Sequence, residues 1–293
     1  VTLNDLLIGK GIDPKDVLVF RHRPHEVELN KVLPWLAAER HELFNAYQSS
    51  QENDVETAML QRRYIASFIR YGPKRALFVG LYSIDRWTPL TQESYFQIPA
   101  IVELKSLGFT GFQAGKTSTT STKWFDLSLT DFHREWKGKL IIEWRAPRRF
   151  WQKADGKDEK AFEVAAILED SALTGVMPAW QELVLTYEQL AVLPQLWRAK
   201  LSEWRGIYYI LDLSDGKGYV GAAYGSENIL GRWLTYADTG HGDNQKLRDR
   251  DPRNFRFSIL QRVSPDMDDS DVNQVENTWK VRLHTREHGL NGN

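Results

Sequence analysis

The chain has 293 residues, a formal net charge of −1 and no cysteine. That length leaves room for about two domains, the near-neutral balance excludes a globally basic nucleic-acid binder, and the missing thiols exclude disulfides, thiolate zinc sites and cysteine nucleophiles, in keeping with a reducing cytoplasm. No apolar run reaches about 18 residues and no leader-like stretch opens the sequence, so neither a membrane span nor a signal peptide is expected.

Residues 1–75 read as mainly helical. Thr2 can cap a helix over 3–9, and residues 17–21 are a short extended piece. Residues 27–47 carry Leu29, Val32, Leu33, Leu36 and Leu43 at roughly helical spacing, and Pro34 is expected to interrupt that helix or open a new first turn. A second long helix is expected over 54–71. From residue 76 the pattern changes to short β-branched or aromatic runs, 76–82, 98–104, 123–127, 139–144 and 162–168, as in a small, strongly curved sheet or barrel. Helical spacing returns over 182–204 and is divided at Pro194. The domain boundary is placed near 200. Residues 1–200 form the larger domain (helical 1–75, β-rich 76–170, helical 180–200), and residues 201–293 form the smaller one. The class is α+β.

The smaller domain reads strand, strand, helix, strand, helix. Residues 206–221, GIYYILDLSDGKGYVG, specify an antiparallel hairpin: β-branched and aromatic residues flank turn chemistry at Asp215-Gly216. Ser226 can cap a helix over 227–237, residues 254–261 alternate Phe255, Phe257 and Ile259 on one face, and Ser270 or Asp271 can cap a helix over 272–283. Arg232 and Tyr236 are i,i+4 neighbours on one helix face. Glu276 sits within an apolar stripe of Val272, Trp279 and Leu283, where a carboxylate needs a partner or a metal.

The triplets Gly206-Ile207-Tyr208 and Tyr219-Val220-Gly221, eleven residues apart from tyrosine to tyrosine, resemble the signature of the GIY-YIG nuclease family, with Val220 in place of the second isoleucine. The resemblance covers about 90 of the 293 residues. It implies a three-stranded antiparallel sheet flanked by helices, with an arginine in the helix after the second triplet and a histidine or tyrosine one turn later. It also implies a glutamate in a downstream helix and an asparagine near the carboxyl end. Arg232, Tyr236, Glu276 and Asn291 stand at those places.

Phosphodiester hydrolysis needs a nucleophilic water, an acceptor for its proton, charge compensation and a stabilised leaving oxygen. On the family analogy Glu276 would hold one Mg²⁺ or Mn²⁺, Arg232 would bind a nonbridging oxygen, and Tyr208 would be the general base. A phenol with an ordinary pKa of about 10 must be depressed by nearby cations to act near neutrality. Tyr219 and Tyr236 would position water or phosphate, and Asn291 would lend a supporting hydrogen bond. Each residue also has a plainer use: the tyrosines as core or surface residues, Arg232, beside Trp233, as a surface cap, and Glu276 as the i,i+4 partner of Lys280.

Further candidate DNA contacts are Lys217 in the hairpin turn, His241 in the GHGDN loop at 240–244, and the cluster Lys246, Arg248, Arg250 and Arg253. The interleaved Asp249 and Asp251 make a self-paired, solvated segment the other reading of that cluster. In the larger domain Arg145, Arg148, Arg149 and Trp151 could contact DNA, or the tryptophan could be core and the arginines a solvated rim. The expected function is a metal-dependent endonuclease on double-stranded DNA, a bacterial restriction or phage-defence enzyme whose first domain recognises the target, possibly a modified base. One active site per chain calls for a homodimer on DNA or two successive nicks. The alternatives are a catalytically dormant nucleic-acid-binding protein and a structure-specific repair or recombination nuclease.

Overall fold

The computed structural model describes residues 1–111, 121–145, 149–156 and 162–292. The chain divides into two compact units, Val1–Gly175 and Val176–Asn293. The boundary expected near 200 therefore falls inside the second unit.

In the first unit Thr2 forms a capping box with Asp5 at the start of α1 (Leu3–Gly9). The strand β1 (Val17–His22) is buried along its whole length. Its residues alternate between two clusters. Val17 and Val19 pack with Leu7, Phe68, Phe78 and Trp144 on one face, while Leu18 and Phe20 pack with Val55, Met59 and Phe125 on the other. A strand covered on both faces reads as a continuous apolar run.

Pro34 lies inside α2 (Val27–Glu39), and the break comes at Arg40, before α3 (His41–Gln48). The second long helix expected over 54–71 is replaced by α4 (Asn53–Met59) and the strand β2 (Tyr64–Arg70), because a doubly buried strand and a helix share the same short apolar spacing. Then follow β3 (Arg75–Thr91), α5 (Gln92–Phe96) and α6 (Pro99–Ser106). The strand expected over 98–104 is thus a helix, with Pro99 in its first turn, where the missing N–H costs nothing. The unit closes with β4 (Ser121–Leu129), β5 (Leu140–Glu143), β6 (Trp151–Lys153) and β7 (Val164–Ile167).

The sheet of this unit has seven strands in the order β6-β1-β2-β3-β5-β7, with β4 on the far part of β3. β1 and β2 run parallel, and the other pairings are antiparallel. Register shifts at Ser67/Phe68 and Ile84/Arg86 bend β3 along its length and curl the sheet into a half-barrel.

The second unit opens with β8 (Val184–Thr186), α7 (Tyr187–Ala191) and α8 (Gln195–Glu203), so the helical run expected from 182 begins as a strand, and Pro194 is the N-cap of α8. Next come β9 (Gly206–Asp212), β10 (Gly218–Ala223), α9 (Asn228–Thr239), β11 (Phe255–Arg262) and α10 (Asp269–Arg282). The helix caps fall at Glu227 and Asp268, without side-chain capping bonds, and not at Ser226, Ser270 or Asp271. The sheet is four-stranded and antiparallel, β10-β9-β11-β8, one strand more than expected, because β8 adds an edge to β11.

Candidate active site

Strand alternation sorts the hairpin residues onto two faces. Ile207 and Tyr209 of β9 and Val220 and Ala222 of β10 pack with Val272, Val275 and Trp279 of α10. Tyr208 and Tyr219 point the other way, towards α9. Their ring centroids are 6.3 Å apart, and Tyr236 of α9 lies 6.1 Å from Tyr208 and 6.5 Å from Tyr219. The register pairs Tyr208 with Gly221, and a β-carbon at Gly221 would collide with the Tyr208 ring. The glycine of the second triplet is therefore the floor on which the tyrosine of the first one lies.

Tyr208 and Tyr236 are buried, and their hydroxyls meet at 3.2 Å. Burial pushes the Tyr208 phenol well above its ordinary value, and only the Arg232 guanidinium and hydrogen bonds from Arg232 and Tyr236 pull it back. Tyr236 is raised in the same direction, by burial first and by its neighbouring phenols second. The phenol oxygens keep Arg232 firmly protonated, and its Nε is a buried donor with no partner. Three phenols and one unsatisfied guanidinium donor thus meet on one sheet face, a hydrogen-bonding set suited to an oxyanion.

Asn291 acts on the backbone. Its amide accepts from Val220 N at 2.9 Å and donates to Val220 O at 2.8 Å, filling the outer edge of β10 as a further strand would. Glu276 is not drawn into the phenol cluster by any polar contact. It lies on α10, which covers the opposite sheet face, and it pairs with Lys280 at 3.0 Å. Among the described residues no three histidine, aspartate or glutamate side chains gather in one place. A Mg²⁺ or Mn²⁺ at Glu276 would have one protein carboxylate, which fits ions that take one or two and complete their shells with phosphate and water.

The other candidates divide. Arg250 is committed to structure: it binds the buried Asp212 at 2.6 Å and forks onto Asp215 at 3.0 Å through both terminal nitrogens. Lys246 donates to the Asn291 carbonyl at 2.7 Å, and Lys217 pairs with Asp215 at 3.5 Å. His241 accepts from Asp243 N through Nδ1, and a β-carbon at Gly242, where φ is +53°, would strike the Tyr236 ring. The GHGDN loop is thereby the packing partner of Tyr236. Arg248 and Arg253 are exposed.

In the first unit Arg145 is exposed and pairs with Glu163, Arg149 is exposed, and Arg148 lies outside the described residues. Trp151 is half-buried and packs against the core cluster that holds Phe20 and Phe125. Sequence reasoning missed the Asp212–Arg250–Asp215 pin, which only the return of the chain after α9 creates. It also missed a cavity of about 680 Å³ in the first unit, lined in part by His22, Tyr47, Phe109 and Phe150. The signal for that cavity was the pair Arg21-His22, polar residues closing an otherwise apolar strand.

No family model and no curated protein matches the chain. Among solved structures, the catalytic domain of homing endonuclease I-TevI is 27% identical, covering 30% of this chain and 96% of that one, with a TM-score of 0.26. A point mutant of the catalytic domain of intron endonuclease I-TevI is 25% identical, covering 31% of this chain and 94% of that one, with a TM-score of 0.26.

Proposed function

We propose that this protein is a metal-dependent endonuclease that hydrolyses phosphodiester bonds in DNA from the phenol and guanidinium cluster of its second unit. The supporting observation is that Tyr208 and Tyr219, from the paired GIY and YVG triplets, converge with Arg232 and Tyr236 of α9. Arg232 offers its unpaired N–H to a nonbridging phosphate oxygen, where negative charge grows as water attacks. Tyr219, the half-buried phenol, and Tyr236 orient the phosphate and the water.

Tyr208 accepts the proton of the attacking water, and the Arg232 charge is what favours its phenolate. A bond forms from water oxygen to phosphorus, the bond to the 3′ oxygen breaks, and that oxygen is protonated from solvent. Glu276 would hold the Mg²⁺ or Mn²⁺, which when bound supplies positive charge to the phosphate and the leaving oxygen. The first unit supplies target recognition, and the biological setting is restriction or phage defence. A catalytically dormant DNA-binding protein is the second reading, favoured by one observation: Lys280 already neutralises Glu276.

The test is cleavage of plasmid and of modified and unmodified phage DNA with Mg²⁺ or Mn²⁺, wild type beside Glu276→Ala. Glu276→Ala should abolish cutting and leave DNA affinity nearly unchanged, because the phosphate contacts remain. A variant that cuts like wild type removes Glu276 from the site, and a wild type that cuts nothing leaves the dormant reading.

A further inference from the structure

Five neighbouring strands of the first unit meet one end of their sheet with a basic residue each. In sheet order these are Arg149 just before β6, Arg23 just after β1, Arg70 at the end of β2, Lys74 and Arg75 at the start of β3, and Arg145 just after β5. Strand direction brings them together: β1 and β2 run parallel, β3 and β6 run against them, and β5 runs against β3. Main-chain bonds close the row. Arg21 N donates to the Phe150 carbonyl at 2.6 Å, Tyr71 N to the Arg75 carbonyl at 2.9 Å, and Trp144 N to the Lys74 carbonyl at 2.7 Å.

Acids neutralise only one flank of this row. Arg75 pairs with Glu143 at 3.1 Å and Arg145 with Glu163 at 3.4 Å. Arg149, Arg23, Arg70 and Lys74 are exposed, and among the described residues none of them pairs with a carboxylate. Glu26, Glu52 and Asp54 line the cavity that Arg23 and Arg149 also line, without pairing with either arginine. Arg21 adds a buried charge: it is 4% exposed, and its guanidinium donates to the carbonyls of Gly72 at 2.9 Å, Pro73 at 3.0 Å and Arg75 at 3.2 Å. Burial first, and then the charges of Arg70 and Arg23, pull its pKa down to about 10. Like charges gathered in this way repel one another, in a chain whose net charge is −1, and a bound polyanion removes that repulsion.

The form of the row fits a phosphate backbone. Neighbouring strands stand about 4.8 Å apart, so the five ends span roughly 19 Å, the axial length of about five phosphates of one DNA strand at ~3.4 Å each. Arginine predominates, and its planar fork matches phosphate oxygens. Tyr71 and Phe150, 39% and 37% exposed, adjoin Arg70 and Arg149 in sequence and offer ring surface to the sugars between phosphates.

We propose that this end of the sheet is a DNA-backbone interface, in which Arg149, Arg23, Arg70 and Lys74 contact successive phosphates of one strand of a duplex. The inference rests on DNA being the substrate, and it gives the first unit a hold on DNA that is independent of sequence.

The test is equilibrium binding of the full chain, in EDTA so that no strand is cut, to fluorescent duplexes of two unrelated sequences over a range of NaCl concentrations. Arg23→Gln, Arg70→Gln, Lys74→Gln and Arg149→Gln should each weaken binding and reduce the slope of log K against log salt by about 1. The fourfold variant should reduce it by about 3 to 4, equally for both sequences. Lys10→Gln, at an exposed lysine after α1, should leave the slope unchanged. Arg23→Gln should also melt no lower than wild type, because it relieves repulsion on Arg21. A fourfold variant with the wild-type slope overturns the proposal, as does an equal change of slope in Lys10→Gln or a wild type that binds no duplex. Tighter binding of single-stranded RNA or of phosphatidylserine vesicles than of the duplex, lost in the fourfold variant, overturns DNA as the occupant. Metal-dependent cutting of plasmid by the wild type beside any of these results would leave the nuclease reading standing and the interface alone refuted. Slopes that fall as expected in a protein that cuts nothing would uphold the interface and refute the nuclease.

Discussion

In the proposed reaction Tyr208 is the general base, and its environment makes a quantitative demand on that role. Burial raises its pKa above the ordinary phenol value, so at neutral pH only a small fraction is phenolate. That fraction grows about tenfold for each pH unit below the pKa, and cleavage that uses the phenolate as base should rise with the same slope across pH 7 to 9. Tyr208→Phe should lose at least about tenfold in rate and flatten the profile. A wild-type profile that is already flat would leave Tyr208 as a packing residue under Gly221. The grouping of Tyr208, Tyr219, Arg232 and Tyr236 was legible in the sequence because hairpin register and i,i+4 spacing are local rules. The fate of Arg250 was not, because whether an arginine meets phosphate or Asp212 depends on where the chain returns from α9.

At the scale of elements, local signals failed wherever two structures share one apolar spacing. Residues 64–70 satisfy a helical stripe and a doubly buried strand equally well, and pairing with β1 and β3 chose the strand. Pro99 was a helix-start signal overlooked among β-branched neighbours. The β9–β10 hairpin has the opposite character: turn chemistry predicts it, and a tertiary pin then secures it. Arg250 holds Asp212 at the end of β9 and Asp215 in the turn, and chiefly through that hydrogen bond it keeps the Asp215 carboxyl at about 2. Asp212 is lowered as well: burial works against ionisation there and is outweighed by bonds from Ser214 and Arg250. Both folded values lie below the unfolded one of about 3.9, so this stabilisation is present above that pH and is lost as pH falls towards about 2. Arg250→Met leaves Asp212 buried and uncompensated, and it should cost about 3 kcal/mol at neutral pH, with the deficit shrinking on acidification. Denaturant melts of the two proteins at pH 7 and pH 3 check this, and an equal deficit at both would remove the charge pairing as its cause.

At the scale of the whole molecule, the sequence placed the division near 200, and the compact units divide after Gly175. The discrepancy is instructive because the helical spacing over 182–200 does not say which unit those residues join. Their membership comes from pairing and burial. Thr186, Leu185 and Val184 of β8 hydrogen-bond along Arg256, Phe257 and Ser258 of β11, and Leu183, Leu185, Leu190 and Leu193 are buried. Tyr187 adds a hydroxyl bond to the Ala237 carbonyl at the end of α9. A fragment 201–293 would therefore expose the edge of β11 and forfeit several buried leucines, each worth about 2 kcal/mol. That loss is comparable to the whole stability of a small domain. The fragment 176–293 should unfold cooperatively in denaturant, whereas 201–293 should show no cooperative transition, or one at least about 4 kcal/mol weaker. Equal stability of the two fragments would restore the boundary to 200 and reduce β8 to an accessory strand. Because Tyr208, Tyr219, Arg232 and Tyr236 all lie on β9, β10 and α9, the longer fragment should also retain whatever cutting the full chain performs, while losing any preference among DNAs that the first unit provides.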